Sequence, residues 1–140
     1  QQVRSLASEF SRAFEQGGPR AALPYASIFL SEKGLMYQAP TREMNGILSA
    51  LSMTVPETVR EPADHLAIQL QVAAEIAFRE ETGQPCPIPF HVFLEGQLMT
   101  WLPAFVERCS NRTRSGLILV AAKAVLATVQ DDLERCLEPM

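Results

Sequence analysis

The stretch Glu61-Pro62-Ala63-Asp64-His65-Leu66-Ala67-Ile68-Gln69-Leu70-Gln71-Val72-Ala73-Ala74-Glu75-Ile76-Ala77 carries the clearest helical pattern in this chain. Leu66, Leu70, Ala73, Ala74 and Ala77 recur at helical spacing, and Ile68, Val72 and Ile76 widen the apolar face. A face that broad suits a helix buried between neighbours. Proline lacks an N–H, so it fits a first turn, where that group has no intrahelical partner. The pattern therefore predicts a helix over residues 62–82, with Glu61 near the N-cap and Asp64 in the first turn. Both carboxylates would face the positive end of the helix dipole. His65 places a titratable ring beside an acid. The plain reading is a well-capped helix. The sharper one is a binding site where two halves of the protein meet.

Working outward, Gly83 closes this helix, and Gln84-Pro85-Cys86-Pro87-Ile88-Pro89 forbids a regular one. The apolar pattern resumes at Phe90 and runs through Phe93, Leu94, Leu98, Trp101, Leu102, Phe105 and Val106, with Pro103 expected to break it near Thr100. A last helix is predicted over residues 114–137. Toward the N-terminus, Pro56 and its polar neighbours mark residues 54–60 as a linker. Before it, Thr41 is placed to cap a helix over residues 42–53, whose stripe is Met44, Ile47, Leu48 and Leu51. Residues 21–30 read as a loop or short helix, and residues 1–15 as an amphipathic helix ended by Gly17-Gly18-Pro19. No alternating strand pattern occurs. The expectation is an all-α, bundle-like domain of about five to six helices with a hinge before Pro62.

Composition excludes several classes. The 140 residues suffice for one core, with 47% hydrophobic and 20% charged residues. A formal charge of −4 argues against non-specific nucleic-acid binding. No run of about 18 apolar residues is present; the longest, residues 116–129, is interrupted by Lys123. Cys86, Cys109 and Cys136 are widely spaced and odd in number, which reads as free thiols and not as a zinc site. No phosphate loop, dinucleotide fingerprint, nucleophile elbow or metalloprotease motif is found. Glu61, Asp64 and His65 lie along one local turn, a poor metal set without ligands from another helix. Asp64 and His65 point about 100° apart on a helix and have no nucleophile beside them, so a non-enzymatic recognition role fits better.

Three blocks carry a resemblance: Leu6-Ala-Ser-Glu-Phe10-Ser-Arg-Ala-Phe14 followed by Ala22-Leu-Pro-Tyr-Ala-Ser27; Glu61-Pro-Ala-Asp-His-Leu-Ala67; and Trp101-Leu-Pro-Ala-Phe105-Val-Glu-Arg-Cys109. In this order they resemble the TorD/DmsD/NarJ family of cytoplasmic chaperones for molybdenum-dependent oxidoreductases. Their wording is closest to the TorD branch, which serves trimethylamine N-oxide reductase. The resemblance implies that about the first third of the usual polypeptide is absent. Residues 1–60 would then be the end of an N-terminal helical subdomain plus linker, and residues 61–140 the C-terminal subdomain. It also implies a cytoplasmic location, and as partners a twin-arginine signal peptide and the apoenzyme it leads. Molybdenum cofactor would be handled only through the client. GTP has been associated with such chaperones, but no motif for it is present here.

Two guanidinium groups followed by an apolar segment call for carboxylates and an aromatic groove. Glu9, Glu61 and Asp64 are candidates for the charge. Phe10, Phe14, Tyr25 and Leu66 are candidates for the groove wall, and Pro24 and His65 are further candidate peptide-binding residues. The family's aromatic-x-x-Leu-Phe motif maps onto Phe10 to Phe14 with Ala13 in the leucine position, which implies a shallower groove. Phe10 and Phe14 also fit a core stripe. The alternative to a peptide receptor is a helical scaffold without a peptide site, whose halves exchange across the linker to give a domain-swapped homodimer.

Overall fold

The computed structural model describes residues 23–112 and 116–137, with the side chains of residues 112 and 116–118 excepted. The expected helix over residues 1–15, with Glu9, Phe10 and Phe14, lies outside the described residues. Among the described residues six α-helices follow one another: α1 (Ala26–Leu30), α2 (Ala39–Ala50), α3 (Leu66–Glu81), α4 (Phe90–Phe93), α5 (Leu102–Arg112) and α6 (Gly116–Leu137). Between α4 and α5 the coil widens into a π-helical turn, Leu94–Leu98. Among the described residues there is no strand, only an isolated antiparallel bridge between Tyr25 and His65. The chain is all-α, as its periodicity predicts.

Pro103 does what its chemistry requires. Trp101 donates its N–H to Leu98, and α5 starts at Leu102, so the proline occupies a first turn. Gly83 adopts a φ of +72°, a left-handed conformation that lets Gln84 donate back to the carbonyl of Arg79 and end α3. Glu80 then reaches across the proline-rich loop, and its carboxylate accepts the N–H of Phe90 at 2.7 Å, which starts α4.

One apolar cluster unites residues from both sides of the 54–60 segment. Ala26, Met44, Leu48 and Leu51 from the N-terminal side pack with Val72, Ile76, Phe93, Leu94, Leu98, Trp101, Leu102 and Phe105. Trp101 is 0% exposed; its ring lies 5.7 Å from Phe29 and 5.6 Å from Phe105, and its Nε1 donates to Gln69 Oε1 at 2.9 Å. The guanidinium of Arg108 sits 4.3 Å above the Phe29 ring from outside. Arg79, held by Glu75 one turn earlier, donates to the carbonyl of Leu51 and joins the C-terminal ends of α2 and α3. Cys86, Cys109 and Cys136 are free thiols; burial pushes that of Cys109 up to about 12, which keeps it protonated and unreactive. No described helix is long and apolar enough to cross a membrane.

Two helix starts differ from the expectation. α2 begins at Ala39, with Pro40 in its first turn, so Thr41 is a helical residue and not the cap. α3 begins at Leu66 with His65 as N-cap, four residues later than the proline suggests. Glu61 and Asp64 thus precede the helix. There the chain makes a turn, closed by the His65 N–H to the Pro62 carbonyl at 3.0 Å, and tertiary bonds hold it in place; the candidate site arises from them.

Candidate functional site: the Asp64 corner

Asp64 organises the corner from inside. It is 0% exposed, and both carboxylate oxygens accept hydrogen bonds: Oδ2 from the Ser27 N–H and Oδ1 from the Thr41 hydroxyl, each at 2.7 Å. The Ser27 N–H belongs to the first turn of α1, where no helical carbonyl is available to it. Thr41 spends its proton on Asp64, so the Ser27 hydroxyl, 3.1 Å away, donates to Thr41 and accepts the Gln38 N–H, also at 3.1 Å. A directed chain therefore runs Gln38 to Ser27 to Thr41 to Asp64, in a setting where each bond polarises the next.

The backbone repeats the tie. Ala26 N–H donates to the Asp64 carbonyl at 3.2 Å, and Leu66 N–H to the Pro24 carbonyl at 2.9 Å. These bonds flank Tyr25 and His65 and bring their rings together edge to face, centroids 5.0 Å apart. The Tyr25 hydroxyl donates to Glu61 Oε2 at 2.5 Å. Burial and the neighbouring Glu61 carboxylate both raise the Tyr25 pKa, so the phenol keeps its proton and remains the donor.

His65 has a second task. Its Nδ1 accepts the Ala67 N–H at 3.0 Å and caps α3. Only an imidazole unprotonated at Nδ1 can do this. Burial lowers the His65 pKa from 6.5, against the opposing pull of Glu61 and Asp64. The unfolded chain therefore takes up the His65 proton first as pH falls. This part of the stability is fully present above pH 6.5 and is lost as pH drops through the lower folded value, below which the loss levels off. Urea unfolding between pH 7.5 and 5 should show a decline of about 1 kcal/mol, the worth of one cap. His65→Asn, which keeps a cap acceptor without titrating, should flatten that component.

The sequence-predicted residues thus divide. Pro24, Tyr25, Glu61, Asp64, His65 and Leu66 come together at one corner, while Phe10 and Phe14 lie outside the described residues. Glu61 is exposed, and Tyr25 and His65 are half-buried. Asp64 presents no surface: its carboxylate is occupied by the protein's own donors, so it positions the corner and does not face a ligand. Leu66 is half-buried and leans on the apolar cluster. Among the described residues, no group of His, Cys, Asp and Glu is arranged to hold a metal.

Sequence reading missed Ser27, Gln38, Thr41 and Tyr37. The first three complete the Asp64 chain. Tyr37 stands beside them, 64% exposed, with a φ of 58° that is costly for a bulky residue. The hydroxyls at 27 and 41 were the available signal, but nothing local pairs them with an acid 37 and 23 residues away.

Comparison with known proteins identifies relatives of the chain. Residues 1–107 match the family model described as nitrate reductase delta subunit. The chain is 36% identical over 141 aligned positions to a protein of Vibrio cholerae serotype O1 named chaperone protein TorD, covering 96% of this chain and 63% of that one. A Vibrio parahaemolyticus protein of the same name is 33% identical over 128 positions, covering 87% and 60%. One from Photobacterium profundum is 29% identical over 133, covering 91% and 62%. The chain spans less than two thirds of the length of these curated relatives. No solved structure matches it significantly.

Proposed function

Since this chain belongs to the nitrate reductase delta subunit family, we propose that it serves as a TorD-type chaperone for a molybdenum-dependent oxidoreductase. In this reading it is cytoplasmic and binds the twin-arginine leader and the apoenzyme of its client, with trimethylamine N-oxide reductase as the leading candidate. Holding the leader keeps the client competent for molybdenum cofactor insertion and delays export until that is complete.

The observation that carries the recognition role is the exposed Glu61 carboxylate, held by the Tyr25 hydroxyl at 2.5 Å beside the half-buried His65 ring. A guanidinium is planar and offers several N–H donors, which suits a carboxylate with one oxygen still open. The flanking rings of Tyr25 and His65 supply flat apolar surface at low entropic cost. Asp64 contributes by fixing these groups. Such a site is partly wet, which spares the desolvation cost of a buried ion pair and permits release of the client.

Calorimetric titration of the chain with a synthetic twin-arginine leader peptide tests the proposal. Saturable binding is expected, weakened when both arginines are replaced by glutamine. Glu61→Gln should weaken binding about fivefold, the worth of one partly exposed charge pair of about 1 kcal/mol. Equal affinity for the arginine and glutamine peptides would overturn leader recognition.

A further inference from the structure

A depression of about 420 Å³ opens beside the Asp64 corner, between the 54–60 segment and the helices α2 and α3. Its wall is apolar: Leu48, Met53, Val55, Val59, Ile68 and Val72. Leu48 and Val72 are buried and form the floor, whereas Val59 and Ala67 at the rim are exposed. The volume lies within the range of ligand pockets, and is well above the roughly 150 Å³ in which an apolar cavity already admits benzene. We propose that this depression is the subsite for a bulky apolar side chain of the client leader, following its arginines. The inference rests on the leader-binding reading and adds the residues that select the apolar part.

Three observations favour this occupant over others. The depression and the corner are continuous. Val59 lines one and Glu61 belongs to the other, two residues further on, so extended chain covers the gap in about 7 Å. Ala67 lines the depression while its own N–H is capped by His65. Charge is the second point. Exposed Glu57, Arg60 and Glu61 neighbour the lining residues Pro56 and Val59 in sequence and leave this stretch net negative, which suits an apolar segment that follows positive charge and disfavours an acidic partner. The third is the covering wall. The described hydrogen bonds of the 54–60 backbone amount to Val59 N–H to the Pro56 carbonyl, so this wall can adjust to the side chain that enters.

The test uses two leader peptides that share their arginines, one with leucine and phenylalanine in the apolar run and one with serine there. Both are titrated into the full chain and into Ala67→Phe and Gln71→Phe, which fill the depression from exposed positions on α3. Circular dichroism and the unfolding midpoint check that each variant folds. Wild type should prefer the apolar peptide at least tenfold, and the filled variants should lose most of that preference while retaining sensitivity to Glu61→Gln. Retained preference in both folded variants would overturn the subsite and leave leader recognition standing. So would equal binding of the two peptides by wild type, a result that needs no variant. Failure of wild type to bind either peptide would overturn leader recognition itself, and the subsite with it.

Discussion

Asp64→Ala is expected to destabilise the protein by about 3 kcal/mol, because it strips two buried donors of one acceptor group, each at about 1–3 kcal/mol. The donors are the Ser27 N–H and the Thr41 hydroxyl, both at 2.7 Å. The first cannot be satisfied within α1, whose five residues are too few to stand without tertiary support. The hydroxyl chain through Ser27 to Gln38 then loses its terminal acceptor. Asp64→Asn should cost about half as much. Its amide keeps one oxygen for Ser27, and the Thr41 hydroxyl can turn to accept from the amide nitrogen. Urea unfolding followed by circular dichroism separates the two variants. A wild-type midpoint for Asp64→Ala would show that the backbone bonds and apolar contacts hold the corner together without the carboxylate. Leader affinity should fall in Asp64→Ala as well, since Tyr25 and Glu61 lose their support, although Asp64 itself is covered.

The second large effect is expected from Trp101→Ala, at about 3–5 kcal/mol. Trp101 is fully buried and joins α1 to α5 through the Phe29 and Phe105 rings. Its removal opens a cavity and also orphans Gln69, whose Oε1 accepts the indole N–H and whose Nε2 has no partner among the described residues. Trp101→Phe retains most of the apolar contact and isolates the hydrogen bond, so it should lose about 1–3 kcal/mol. Thermal unfolding by circular dichroism measures both. A Phe variant as unstable as the Ala variant would show that the buried amide outweighs the packing.

These two residues also show how much of the molecule was legible beforehand. Trp101 was readable as core because it falls on an apolar stripe with Leu98, Leu102 and Phe105, and Pro103 marked the break beside it. The helical periodicity of α3 and α6 was equally local. Asp64 was legible as a notable residue but not as a buried one. Sequence rules place a carboxylate near a helix start, where the dipole favours it. In the folded chain that carboxylate serves α1 and α2, and the start of its own helix is capped by His65. The alternative start at Pro62 fails because Asp64 gives its carbonyl to Ala26, and Leu66 its N–H to Pro24. The apolar depression was missed because Val55 and Val59 lie in a segment read as a linker, and Met53 was read as the end of the helix before it. Their shared face exists only once α2 and α3 close around them.

Hydrophobic period, proline placement and glycine position determined the all-α class, the order of the helices and the break before α5. Each of these depends on neighbours within a few residues, and a sequence displays such neighbours directly. Which carboxylate is buried and which is presented was decided by tertiary structure alone. Those roles depend on donors 23 to 37 residues away, and a side chain is committed to one partner only when packing brings that partner within hydrogen-bond reach.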